Sequence, residues 1–328
     1  MPVFFRRSPA NPIVSRTPGT FHAVHAANPD IVDFRGEHLM IFRGQDEGGH
    51  DQIGVATGGR GKFNPTRWSL PAGPCIRVDE DPAAFDSGHI LDPAAIVVED
   101  RLYVYYTAHR ADWQSWNVPS HIGLAISDDG RTFRKHREPI IEGMAPEIVE
   151  WNGKFHLILQ RLSADGSLAF YLAESPDGLH FGTPHVILEP SRTDGRFDAH
   201  SISTARVWSE GEWFLMAYGG CRRFPDYPEA IGLARSRDLV HWERHPGNPV
   251  LERGRAGTWD EGALWFATGH RVGDTTYLYY EGVGRSPEAC QNPAYARRCR
   301  NEDYGGYADI AFSQIGLAVA HGSLGEWG

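Results

Sequence analysis

One feature restricts the fold of this chain more than any other. A unit of roughly sixty residues recurs along it, and self-similarity at such a period marks a repeat architecture. Three copies contain nearly the same strand: Ile122-Gly123-Leu124-Ala125, Ile231-Gly232-Leu233-Ala234 and Ile315-Gly316-Leu317-Ala318. Each copy reads as short strands separated by Gly, Pro, Asn and Asp. The copies span approximately residues 28–78, 92–142, 146–188, 200–251 and 261–320.

The second copy shows the local grammar best. Ala95–Val98 and Leu102–Tyr106 are β-branched and aromatic, and Glu99-Asp100 is a polar two-residue turn between them, so the stretch reads as a hairpin. Asp92 and Pro93 stand at the mouth of its first strand, where a proline costs no ladder bond. No stretch has a convincing helical period, and 37 Gly, 22 Pro and 12 % aromatics suit many short strands joined by turns. Radial repetition of four-stranded antiparallel units predicts an all-β, five-bladed β-propeller spanning residues 1–328 as one domain. A β-sandwich of irregular strands would not explain the period.

The fifth copy lacks a fourth strand before the chain stops at Trp327-Gly328. The N-terminus supplies a candidate, since Ser8-Pro9-Ala10-Asn11-Pro12-Ile13-Val14 matches His245-Pro246-Gly247-Asn248-Pro249-Val250-Leu251. Residues 11–14 are therefore expected to close the ring as an outer edge strand, where proline is tolerated.

A formal net charge of −10 with scattered Arg and Lys argues against a nucleic-acid partner. No run is long and apolar enough for a signal peptide or a membrane span, so a cytoplasmic location is expected, with the four cysteines as thiols. Cys290 and Cys299 could pair across one loop. No cysteine spacing suggests zinc, and His200 alone among acids is no metal motif, so no metal or other cofactor is expected.

In a propeller blade, the loops before the first strand and after the second share one face. On that face fall His22, His25, Asp86, His89, Glu142, Asp194, Asp198, His200, Asp260 and Glu261 from the first set. The second set brings Arg43, Asp46, His109, Arg110, Trp113, Trp116, Arg161, Arg222 and a long final loop with Tyr295, Tyr304 and Tyr307. Aromatic faces stack on sugar rings and charged groups bond hydroxyls, so a small carbohydrate is the expected ligand.

These residues resemble the five-bladed β-propeller glycosidases, the superfamily that includes glycoside hydrolase families 43, 32, 62, 117 and 130. Asp92-Pro93 is similar to the second-blade Asp-Pro of several of these families, where the aspartate orients the acid or stabilises the transition state. Blade one has Asn28-Pro29 where family 43 has Asp-Pro, and Met144 stands where that family carries its glutamate acid. Family 130 is closer at Asn28-Pro29, at Met40-Ile41-Phe42-Arg43 and at Pro146-Glu147-Ile148, but has Arg where this chain has Ala94.

The resemblance implies an inverting glycoside hydrolase. Such enzymes need two carboxyl groups roughly 6.5–9.5 Å apart, one of them kept protonated by burial or by a like charge. Asp92 is the leading catalytic candidate, with Glu147 as acid and Asp30 as base, the latter sharing a strand face with Asn28. Glu261 could replace Glu147. Asn28, Arg43, His89, Arg110, Trp113, Trp116, Arg161, Asp198, His200 and Glu261 are expected to bind the sugar. Arg43, Arg110, Arg161 and Arg222 near the ends of second strands also allow a phosphate site, and hence a phosphorylase. A third alternative is a carbohydrate-binding propeller without catalysis.

Overall fold

The computed structural model describes residues 5–113, 119–223, 225–255, 257–284 and 312–327. Among them are twenty-one strands in five antiparallel sheets and no helix. After β1 (Arg6–Arg7), blade I holds β2 (His25–Phe34), β3 (Glu37–Gln45) and β4 (Asp51–Arg60). Blade II holds β5 (His89–Val98), β6 (Arg101–His109) and β7 (His121–Ser127), with β8 (Arg134–Lys135) and β9 (Ile141–Glu142) both on the edge of β7. Blade III is β10 (Met144–Trp151), β11 (Lys154–Leu162), β12 (Leu168–Ser175) and β13 (His185–Leu188). Blade IV is β14 (Ser201–Glu210), β15 (Trp213–Cys221) and β16 (Ala230–Ser236), edged by β17 (Glu243–Arg244) and β18 (Leu251–Glu252). Blade V is β19 (Ala263–Val272), β20 (Thr275–Gly284) and β21 (Phe312–His321), edged by β1.

The innermost strands β2, β5, β10, β14 and β19 contact one another in a closed cycle, which makes the molecule a five-bladed propeller. One hydrophobic cluster fills each seam between neighbouring blades. The alternation of β3 shows how. Leu39 and Ile41 pack with Val104 and Tyr106 of blade II, while Met40 and Phe42 pack with Tyr279 and Leu317 of blade V. Both faces of a blade are thus covered, so its middle strands are apolar throughout rather than alternating.

Tight turns set the register. Arg35-Gly36, Glu99-Asp100 and Asn152-Gly153 each have two consecutive positive φ angles, as a two-residue type I′ hairpin requires. The Ile-Gly-Leu-Ala strands have a packing cause. Gly123, Gly232 and Gly316 lie opposite Tyr106, Tyr218 and Tyr280, and a Cβ on Gly123 would fall 2.5 Å from the Tyr106 ring. Each tyrosine hydroxyl then donates to an aspartate in the loop before the inner strand. Tyr106–Asp86, Tyr218–Asp198 and Tyr280–Asp260 are each 3.0 Å. A cation from the outer strand completes each set: Lys135, Arg244 and Arg7, at 2.8, 2.9 and 2.7 Å.

The ring closes through the N-terminus. Arg6 and Arg7 pair with Val319 and Ala318, and Val14 bridges Ile315. Asn11 exchanges two hydrogen bonds with the backbone of Leu317, as Asn248 does with Leu233, so the sequence match between the two segments is a structural equivalence. The strand assigned along this edge is 6–7, with 11–14 following it. Blade I departs from four strands. The segment near Pro74–Val78 makes only an isolated bridge, Ile76 to Ile53, because Pro71 and Pro74 lack the N–H a ladder needs.

Candidate active site

Every inner strand breaks its pairing at the same height. Ala27 faces Arg43 but Asp30 faces Ile41, leaving Asn28 and Pro29 opposite Phe42 alone. The same two-against-one bulge falls between Leu91 and Ala94, Met144 and Glu147, Ser203 and Arg206, and Trp265 and Thr268. Its first residue is left-handed in all five: Asn28, Asp92, Ala145, Thr204 and Phe266, with φ between 45° and 56°. Asn and Asp tolerate this region, whereas for β-branched Thr204 and bulky Phe266 it is a genuine outlier. Strain repeated around one ring is a mark of a functional site, because a bulge re-aims its side chain.

The bulges surround a pocket of roughly 400 Å³, lined by Asn28, Asp92, Thr204 and Phe266 themselves. The second-strand residue paired with the position just before each bulge forms the next tier, and in the pocket it is Arg43, Thr107, Gln160 or Glu281. These tie each bulge to its neighbour. Glu281 accepts the Asn28 amide N–H at 3.2 Å and its side-chain N–H at 2.8 Å. Thr107 accepts from Ala145 N–H at 2.8 Å, and Gln160 from Thr204 N–H at 2.9 Å.

Four carboxylates line the pocket among the described residues: Asp51, Asp92, Asp226 and Glu281. Burial opposes ionisation of Asp51, but Arg43 and His89 outweigh it and hold it below the usual carboxylate range. His89 donates to Asp51 at 2.8 Å, and Arg43 lies 3.6 Å from it. Burial pushes Asp92 up to about 6, against the pull of Arg43, the Thr107 hydroxyl and Arg206. Burial also raises Asp226 to about 6, and the Asp92 charge adds to the shift. Asp226 accepts from a neutral donor, the indole N–H of Trp265 at 3.1 Å, and the Ser203 side chain also pulls it down. Glu281 is raised by burial too, against Arg43 and the Ser313 hydroxyl.

Aromatic rings complete the walls. Trp113 stacks on His109 at 4.1 Å with the ring planes 2° apart, and Tyr227 meets Trp265 edge-on at 5.4 Å. Burial lowers His109 to about 4, so it is a neutral stacking partner at neutral pH.

Of the sequence candidates, the pocket gathers Asp92, Asn28, Arg43, His89 and Trp113. Trp116 lies outside the described residues. Asp30 and Glu147 sit one pleat deeper and do not line the pocket. A regular strand would keep Asp30 on the face of Asn28; the intervening bulge breaks that relation. There Asp30 accepts the Ala95 N–H at 2.7 Å and Thr268 hydroxyl at 3.1 Å, while Glu147 accepts the Val207 N–H at 2.9 Å. Arg206, fully buried on the axis, donates to Glu147 at 3.2 Å and to the carbonyls of Pro93 and Pro146. Burial first, then Asp30, pushes Glu147 up to about 8, with Arg206 pulling it down.

The remaining candidates stand away from the pocket lining. Asp198 is the buried anchor for Tyr218 and Arg244. His200 donates its backbone N–H to Cys221, and Glu261 accepts from the Gly257 N–H. Arg110 pairs with Asp112 at the surface, and Arg161 donates to the Glu142 carbonyl. Register explains the arginines. The pocket tier is Arg43, Thr107, Gln160, Gly219 and Glu281. Arg161 is one residue past it and on the opposite face; Arg110 and Arg222 are three past it. Asp51, Asp226 and Glu281 are the pocket acids that sequence reasoning missed. Only Glu281 left a signal, namely its register with Arg43.

No protein-family model matches the chain, and no curated protein matches it. Solved structures do, over nearly the whole chain. An N-acetylgalactosamine deacetylase from F. plautii, solved with blood group B trisaccharide, is 16 % identical over 96 % of this chain and 95 % of its own, with a TM-score of 0.69. The β-1,2-mannobiose phosphorylase of Listeria innocua is 17 % identical over 96 % of each chain, at 0.70. A glycosyl hydrolase from Bacteroides ovatus is 18 % identical over 97 % and 94 %, at 0.67. The chain shares their five-bladed propeller fold. That the fold carries three named reactions at such low identity leaves the reaction of this propeller to its own pocket.

Proposed function

We propose that the protein is a carbohydrate-active enzyme, specifically a glycoside hydrolase that uses Asp92 and Asp226 as an acid–base pair on a glycoside or small oligosaccharide. The observation that carries this reading is the pair itself. Both carboxyls line one pocket, both are raised to about 6, and the charge of Asp92 raises Asp226 further. Two interacting carboxyls divide the tasks by environment. Asp92 faces Arg43 and Arg206, so it is the one that ionises first. Asp226 meets no cation, only the neutral Trp265 indole and the Ser203 side chain, and the Asp92 charge makes it the one that holds its proton longer.

In the proposed step, Asp226 gives its proton to the glycosidic oxygen as the C1–O bond breaks. Asp92 takes a proton from the water that attacks C1, which is the inverting arrangement. Asn28 Oδ1 and Arg43 Nε are buried without a hydrogen-bond partner, and a bound sugar offers hydroxyls to both. Trp113, Trp265 and Tyr227 supply faces for the ring.

Phosphorolysis fits the pocket less well. Arg43 is the sole Arg or Lys among its described lining residues, and it already lies 3.6 Å from Asp51 and 3.7 Å from Glu281. Phosphate would meet more negative than positive charge there. Binding without catalysis would need neither the strained bulges nor the raised carboxyls. The test is a screen of the purified protein on aryl glycosides and short oligosaccharides, with and without inorganic phosphate. Turnover independent of phosphate is expected. Strict dependence on phosphate, or binding with no turnover, would overturn the reading.

A further inference from the structure

At the opposite end of the ring, where blades I and V meet, we infer a binding site for a first-row divalent metal ion of the zinc type, formed by Asp33, His38 and His270. The site is independent of the pocket. Asn28 borders the pocket and Asp33 lies five residues further along β2, on the order of 15 Å away at the usual rise of a strand. The ligand atoms come from β2, from β3 and from the far end of β19, and all lie within 4.8 Å of one another. His38 Nδ1 is 2.5 Å and His270 Nε2 is 4.0 Å from the same carboxylate oxygen, Oδ1 of Asp33. These separations bracket the roughly 3.3 Å ligand–ligand edge that tetrahedral bonds of about 2.0–2.1 Å require.

The hydrogen-bond inventory calls for a cation here. His38 Nδ1 faces a carboxylate and His38 Nε2 faces the Gly61 carbonyl at 3.4 Å, so both ring nitrogens meet acceptors. A neutral imidazole can satisfy only one of them by donating. A second proton on His38 would satisfy its own ring, yet His270 Nε2 would remain buried without a partner. A metal in place of that proton satisfies all three groups at once. Nε2–H of His38 donating to Gly61 leaves Nδ1 as the ligating nitrogen, the outer bond that orients metal-bound histidines. Phe63 packs against both rings, 4.8 Å from His38 and 4.7 Å from His270, and fixes their planes.

Two imidazoles and one carboxylate suit zinc, nickel or cobalt rather than magnesium or calcium. Three protein ligands leave outer positions to water, with Asp33 more than half exposed. Ligands from the first and last blades make the ion a clasp on the closing seam. The dispersed positions 33, 38 and 270 explain why no sequence spacing announces it.

The test uses the untagged full chain, stripped with chelator and titrated with zinc by calorimetry, alongside thermal unfolding. The pocket residues His25 and His89 and exposed histidines elsewhere are also possible zinc ligands, so the readout is the difference between variants. Wild type is expected to bind one more zinc than His270→Ala or His38→Gln. A zinc excess of 100-fold over Kd should raise its Tm by about 4 °C, a shift lost in both variants. Magnesium should give no shift. Asp33→Asn, on the exposed rim, should weaken the site at least tenfold and decides the matter if the buried His270→Ala does not fold. Equal zinc stoichiometry in wild type and all three variants, or no zinc-induced Tm shift, overturns the proposal. Glycoside turnover of His38→Gln should equal that of wild type, which keeps this outcome separate from the assignment of the pocket.

Discussion

Glu281 of the last blade holds Asn28 of the first through two hydrogen bonds to one carboxylate oxygen. The bond joins ring closure to pocket shape, because Asn28 is a left-handed bulge residue whose side chain lines the cavity. Glu281→Gln is expected to cost about 1–3 kcal/mol, since a neutral amide cannot accept from Asn28 and from Ser313 as the carboxylate does. Thermal unfolding should show a Tm lower by about 2–4 °C, and KM for a glycoside should rise. Unchanged values of both would show that the clasp contributes nothing.

Gly123 offers a test confined to the fold. A methyl group there overlaps the Tyr106 ring at 2.5 Å, and Tyr106 is held at its hydroxyl by Asp86. Gly123→Ala should destabilise by about 1–3 kcal/mol, the usual cost of overpacking. Rates well below the melting temperature should hardly change. A stable variant would mean that the blade can shift to accept the methyl.

Deletion of residues 1–16 should give insoluble or unfolded protein. It removes the β1 pairing with β21, the Arg7–Asp260 ion pair and the Asn11 bonds to Leu317, and leaves β21 as an exposed apolar edge. A soluble truncation with wild-type Tm would show that the ring does not depend on its N-terminal strand.

The pH dependence follows from Asp92 and Asp226, both raised to about 6 in the fold. An unfolded aspartate titrates near 3.9, so between about pH 4 and 6 the folded state binds more protons than the unfolded state. Stability from these groups is therefore present below the unfolded value and falls as pH rises through the folded one. Asp92→Asn removes the charge that raises Asp226. Carbon NMR titration of Asp226 should then show its pKa lower than in wild type, and the decline in stability with pH should be smaller. An unaltered Asp226 titration would show that the two carboxyls do not interact.

Much of this architecture was legible in the sequence because the constraint repeats. The Gly opposite Tyr in three blades produces the Ile-Gly-Leu-Ala strands, and the Asn11 and Asn248 edges produce the second match. Asp92, Asn28 and Arg43 were legible because bulge and tier positions recur. The bulge also caused the main displacement. It puts Asp30 and Glu147 a pleat below Asn28 and Pro146, where they fasten neighbouring inner strands instead of facing the pocket. Asp198 sits at a strand mouth for a structural reason shared with Asp86 and Asp260. Asp226 left no such signal, because it lies in the loop between β15 and β16, outside the strands whose sequence recurs.

In the proposed mechanism Asp226 protonates the leaving group. The most direct measurement compares Asp226→Asn with wild type on two substrates of one sugar, a natural glycoside and an aryl glycoside with a highly activated leaving group. Losing a general acid should cost on the order of 10²–10⁴ in kcat/KM on the natural glycoside and far less on the activated one, which leaves without protonation. Asp92→Asn should lose activity on both. If Asp226→Asn loses the two substrates equally, or if Glu147→Gln shows the selective pattern instead, the acid is not Asp226 and the account of the pocket is contradicted.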